Sequence, residues 1–278
     1  MNTLPSGTEG ARSPSFGLAE ASLRRLMLIP LAWIGVLVVG AALLPSSSLF
    51  VLFRVSNESA KGLGVVACLL AAAAFGPGDY LRGGWLYSGA CWALLLLRDA
   101  TYIPGLTELP AMDLVRAALT AIANAYWIVS AWRFGRAWKV AELPDTNSSR
   151  RYAYIAVGIV VLVCAGGTLI IHVQAALLGD RAALVKVASH VGDLLALCMI
   201  APVLPTALAL RGGRLAWPWI MMTASFLAWL GYDTFDAIVK VVPVGHVVTH
   251  TVKESFRAFA ILSTLGAAIT QRRVSSAS

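Results

Sequence analysis

The residues of this chain whose types and spacing suit chemistry are polar groups set inside long apolar runs. Residues three, four, seven, eight or eleven positions apart share one face of a helix. His246, His250, Lys253, Glu254 and Arg257 fall on such a face. So do Asp113, Arg116, Thr120 and Asn124, then Lys186, His190 and Asp193, then Asp233, Asp236 and Lys240. Thr168 and His172 add a pair one turn apart, and Arg98 and Asp99 are adjacent in the chain. An unpaired charge at the centre of a bilayer costs at least about 2.5–3.5 kcal/mol on insertion scales. Groups tolerated there face a bundle interior, pair with one another, and mark a pathway or a site.

The first chemistry these residues suggest is a metal site. His246 and His250 form H-x-x-x-H, which puts two imidazoles one turn apart. That spacing suits two ligands of one divalent ion such as zinc. His172 or His190 would supply a third, because the link between their helices is short. Asp193 or Asp236 would act as a further ligand, as an orienting group, or as base for a metal-bound water. The expectation is then a metal-dependent membrane enzyme acting on a lipid or lipid-like substrate. Asp113, Arg116, Asn124, Lys240, Lys253, Glu254 and Arg257 would line the polar cavity around it.

The alternative is binding without chemistry. The same groups suit a receptor, sensor or transporter of a small polar or anionic ligand, with histidine as a switch near neutral pH. A b-type haem between His172 or His190 and a histidine of the last helix is a minor alternative. It is weakened because haem stacks in membranes place ligands toward both faces, and none lies at the inner one here. A retinal protein is another, since Asp236 and Lys240 stand four apart, but Lys240 lies at a helix end. Ordinary roles compete for single residues. His246, Asp236, Lys240 and Lys186 suit a helix end at a membrane surface, and Lys253, Glu254 and Arg257 suit a structural ion-pair cluster.

Three motifs occur in an order worth comparing: G-G-T-L-I-I-H at Gly166–His172, H-V-G-D at His190–Asp193, and H-V-V-T-H at His246–His250. The order resembles that of the membrane hydrolases that include alkaline ceramidases and adiponectin-type receptors. Those proteins carry a Ser, a His and an Asp on early spans and H-x-x-x-H on the last. This chain departs from them in span number, since that family has seven core spans. The family's His and Asp also come on spans two and three, and its metal lies near the cytoplasmic side. The likeness is one of motif order, and no assignment is taken from it.

The elements that must position these residues follow from composition. Of 278 residues, 58% are apolar and 13% charged, against about 25% charged in soluble domains. The apolar residues come in long runs, and roughly 20 such residues cross about 30 Å of hydrocarbon as a helix. The pattern predicts an all-α, polytopic transmembrane bundle of eight spans, over about 26–44, 62–75, 83–103, 112–132, 152–178, 182–210, 215–241 and 246–270. Pro202 and Pro205 are set to kink the sixth. Residues 1–19 are expected as a disordered cytoplasmic tail, 20–272 as a single membrane domain, and 273–278 as a short cytoplasmic tail.

With eight spans, four basic clusters share one side: Arg24–Arg25, Arg133–Arg151, Arg211–Arg214 and Arg272–Arg273. The positive-inside rule then puts both termini in the cytoplasm of a cell bounded by this plasma (inner) membrane. Every polar stripe falls toward the outer face, with all four histidines. The net charge of +8 is accounted for by these clusters, which excludes nucleic acid as the expected partner; the partner is the lipid bilayer. Cys68, Cys91, Cys164 and Cys198 sit in apolar runs and read as buried free thiols. Asn57, in Asn-Glu-Ser, is expected on the outer link between spans one and two.

Overall fold

The computed structural model describes residues 15–103, 105, 109, 112–140, 147–199 and 216–275, and the side chains of most of them. All elements among the described residues are α-helices: α1 (Ser15–Leu43), α2 (Ser46–Ala72), α3 (Tyr80–Ala100), α4 (Met112–Val140), α5 (Asn147–Leu177), α6 (Arg181–Met199), α7 (Ala216–Val241) and α8 (His246–Ser275). The turns fall where glycine and proline place them. Gly78 takes φ +88°, a conformation costly for residues with a Cβ. Asp79 then caps α3 by accepting the Leu81 N–H at 2.7 Å. Pro243–Gly245 separates α7 from α8.

Four expectations are corrected. Helix α1 begins at Ser15, so residues 15–19 are helical rather than tail. The strong helix formers Ala19, Glu20, Ala21 and Leu23 carry the helix back past the apolar run; residues 1–14 lie outside the described residues. Helix α8 runs to Ser275, past the expected end of the eighth span near 270. Helix α2 begins at Ser46, not near 62, and Asn57 lies buried inside it rather than on a link. Arg54, Glu58 and Lys61 interrupt the apolar run without ending the helix. Arg54 and Glu58 pair along its exposed side at 2.8 Å, while Asn57 and Lys61 turn inward. The sixth helix is described only to Met199, so Pro202 and Pro205 lie outside the described residues.

Two helices, over Arg25–Leu43 and Met112–Ala137, are long and apolar enough to cross a membrane. A third joins them if Tyr154–Cys164 and Gly166–Leu177, bent by 53°, count as one span; the glycine pair Gly166-Gly167 sits at that bend. The other described helices do not meet that measure; tryptophans in α3 and α7, and charges in α3, α6 and α8, lower their hydropathy.

Helix α2 packs between α3 and α8, α4 between α3 and α6, and α5 between α6 and α7; α7 packs on α8. These seven helices therefore close a ring, and α1 lies outside it against α8. The interior is aromatic. Trp92 meets Trp127 edge-on at 5.5 Å and stacks on Trp229 at 6.2 Å, and Trp127 stacks on Phe226 at 4.9 Å. Small residues let helices approach: a Cβ at Gly84 would run into Phe134, at Gly231 into Phe256, and at Gly266 into Met221. Hydroxyls bond across helices, with Ser88 and Ser130 at 2.6 Å and Ser225 donating to the Ala260 carbonyl at 2.7 Å.

Charges gather in two layers. One holds Arg82, Arg133, Arg136, Arg272 and Arg273, with Arg133 over Tyr87 and Arg136 over Trp132. The other holds Lys61, Arg98, Arg116, Asp236, Lys253, Glu254 and Arg257. Between Arg82 and Arg98 on α3, Arg133 and Arg116 on α4, and Arg272 and Arg257 on α8, the helix rise is roughly 22–26 Å. The band between is largely apolar, comparable in depth with the roughly 30 Å of bilayer hydrocarbon.

Candidate ionic site at one end of the bundle

The second layer is a continuous network. Its centre joins α2, α3, α7 and α8. Lys61 is 1% exposed and donates to Asp99 Oδ2. Arg98 holds the other oxygen of Asp99 through Nε and Nη2, at 2.8 and 2.7 Å. One turn before Lys61, Asn57 donates to Glu254 Oε2, and Arg257 holds Glu254 Oε1 at 2.9 Å. Arg257 also donates to the Tyr232 hydroxyl at 3.0 Å. Lys61, Asp99, Glu254 and Arg257 lie close enough for their charges to interact. The cluster thus contains three cations, Lys61, Arg98 and Arg257, sharing two carboxylates, Asp99 and Glu254.

The network extends to both sides. Asp236 on α7 accepts from Lys253 with one oxygen and from Lys240 with the other, the latter at 2.8 Å. Lys240 Nζ lies 3.1 Å from His172 Nε2, and the His172 ring lies 4.9 Å from that of His190. On the far side, Arg116 on α4 donates to the Thr101 hydroxyl and carbonyl, both at 2.9 Å, and covers the Tyr102 ring at 4.1 Å. Thr101 in turn donates to the Arg98 carbonyl at 2.6 Å.

The stripes expected on α7 and α8 do meet, through Asp236–Lys253, and Glu254 and Arg257 join them. Asn124 packs where α4 meets α6, since a Cβ on Gly192 would collide with it. Asp113 pairs with Arg116 at 2.9 Å from a position 92% exposed, so it stands at the rim. The Asp193 side chain lies outside the described residues.

The expectation is that His172 or His190 would join His246 and His250 at one ion; the described histidines are placed otherwise. They form two pairs. His172 and His190 meet between α5 and α6. His246 and His250, with ring centroids 4.4 Å apart on the first turns of α8, pack against the Phe50 ring of α2. The Lys240 ammonium occupies the direction in which His172 Nε2 would hold a metal. Among the described residues, no three His, Cys, Asp or Glu side chains are grouped as metal ligands. The four cysteines are free thiols, Cys68 and Cys91 buried, Cys164 and Cys198 half-buried.

Asn57, Lys61 and Tyr232 are the members that sequence reading missed. The signal for the first two was present: they stand one turn apart, beside small residues at Ser56, Ala60 and Gly64 that suit a helix seam. Asp113 offers a check on the geometry. Arg116 keeps its Thr101 and Tyr102 contacts without it, and exposed pairs contribute little. Asp113→Asn is expected to change stability by no more than about 0.5 kcal/mol in thermal unfolding of detergent-purified protein. A loss several times larger would mean that the rim pair anchors the α3–α4 connection.

Compared with protein-family models, curated proteins and solved structures, the chain has no match.

Proposed function

We propose that the chain is an eight-span protein of the inner membrane, both termini cytoplasmic, whose outer ionic layer captures a small anion. On this reading it is a receptor, sensor or transporter rather than an enzyme. The observation that carries it is an excess of cations: buried Lys61 and half-buried Arg98 and Arg257 share Asp99 and Glu254. A net positive charge in a low-dielectric surrounding is costly unless something neutralises it. An anion drawn from outside would do so, and Tyr232 and Arg257 supply donors that suit one. The reading as a metal-dependent membrane enzyme needs a third ligand beside His246 and His250, and no such group of three is found among the described residues.

The test is thermal unfolding of detergent-purified protein in low-salt zwitterionic buffer. Chloride, nitrate, acetate and inorganic phosphate are titrated separately. A ligand at 100 times its Kd adds about 2.7 kcal/mol to stability. At least one of the four is expected to raise the Tm of the native protein in a saturable way. Lys61→Met removes the excess charge and is expected to flatten that response. A native protein indifferent to all four, or a Lys61→Met variant that responds as fully as the native one, would defeat the proposal.

A further inference from the structure

A second feature lies at the opposite end of the bundle, where α2 meets α8. A groove of about 430 Å³ runs along this seam. Its floor is Ala67 and Ala268, both buried, and its walls are Leu63, Val66 and Leu70 of α2 and Ile269 of α8. The alanines create it, because short side chains at the seam leave a trough between longer neighbours. From Leu63 to Leu70 the trough is about 10 Å long. Arg272 and Arg273, both exposed, stand at its end. The result is an apolar slot with two guanidiniums at one end only.

That asymmetry defines an occupant. The walls suit a hydrocarbon chain, and a guanidinium fork suits a phosphate. Free phosphate would make no use of the walls, and a neutral lipid no use of the arginines. We propose that the groove binds an anionic phospholipid of the cytoplasmic leaflet, one acyl chain along the alanine floor and the phosphate against Arg272 and Arg273. Basic pockets between membrane helices on the cytoplasmic side hold such head groups elsewhere. The site is separate from the ionic layer, and it rests on the membrane reading above, with the C-terminal end of α8 inside.

The experiment is native mass spectrometry of the full chain in detergent, with phosphatidylglycerol and phosphatidylcholine of identical chains added in equal amounts. Two arginines near a membrane surface predict a preference of about 30-fold for phosphatidylglycerol. Arg272→Gln/Arg273→Gln is expected to abolish the preference. Val66→Trp, a change at a half-exposed wall position that fills the groove, is expected to reduce retention of bound lipid. Glycerol phosphate, which has no chains, is expected not to compete. Equal retention of the two lipids, a preference that survives the double variant, unchanged retention in Val66→Trp, or competition by glycerol phosphate each overturns the proposal. Alkaline extraction of the native membranes separates this failure from that of the membrane reading: a chain released into the aqueous phase contradicts the latter.

Discussion

Asp99→Asn is expected to destabilise the protein by about 3–5 kcal/mol, the usual cost of removing one partner from a buried pair. Lys61→Met, on the other side of the same bond, is expected to cost far less. The difference follows from the charge balance. Asp99 is the carboxylate for both Lys61 and Arg98, so its loss leaves two cations against Asn and raises an existing excess. Losing Lys61 instead leaves Arg98 on Asp99 and Arg257 on Glu254, a balanced set. Replacing a buried charge by an apolar side chain of similar length is often neutral or better once the balance is kept. Unfolding in graded denaturing detergent measures both variants. Equal losses for the two would show that Lys61 and Asp99 are a closed pair with no excess charge, and would remove the basis for anion capture. The double variant Asp99→Asn/Lys61→Met is expected to recover part of the loss.

The second large effect lies in the aromatic interior. Trp127→Ala is expected to cost about 3–5 kcal/mol. Trp127 stacks on Phe226 of α7 and meets Trp92 of α3 edge-on, so one side chain on α4 touches its neighbour α3 and reaches across the ring to α7. Its removal leaves a cavity whose walls are rings held by their own neighbours, including Trp229 against Trp92. Such walls relax little, and their lost dispersion contacts are not regained. Trp127→Phe keeps the stack on Phe226 and is expected to retain more than half of the stability. A Trp127→Ala variant within about 1 kcal/mol of the native protein would mean that lipid or solvent reaches this position. The ring of seven helices would then be open rather than closed.

Some turn positions were legible because Gly and Pro punctuate the apolar runs, at Gly76–Gly78 before α3 and Pro243–Gly245 before α8, whereas the start of α2 was not. The stripes of α7 and α8 were legible for a similar reason: offsets of 3, 4 and 7 fix a common face without reference to any neighbour. What that periodicity does not carry is the azimuth of one helix relative to another. His172, His190, His246 and His250 all belong to the same end of the bundle, yet helix rotation sends them into two pairs. Lys61 failed for a different reason. In a membrane chain a lysine beside Arg54 and Glu58 reads as the edge of a span, and only its tertiary partner Asp99 makes it an interior group. The partner of an interior polar group is long-range information: Lys61 and Asp99 are 38 residues apart, and Asn57 and Glu254 are 197 apart.

The proposed alternation of the helices across a membrane would bring the ionic layer to the outer face and Arg272 to the inner one. Single cysteines introduced into a background lacking the four native ones test it most directly, with a membrane-impermeant maleimide applied to intact cells. Leu109→Cys, Leu178→Cys and Gly245→Cys occupy exposed positions between α3 and α4, α5 and α6, and α7 and α8. Gly76→Cys lies in the exposed α2–α3 turn, and Ser275→Cys at the end of α8. The account predicts labelling of the first three from outside, and of the last two only after the membrane is opened. Protection of Leu109, Leu178 or Gly245 in intact cells, or labelling of Gly76 there, would contradict it.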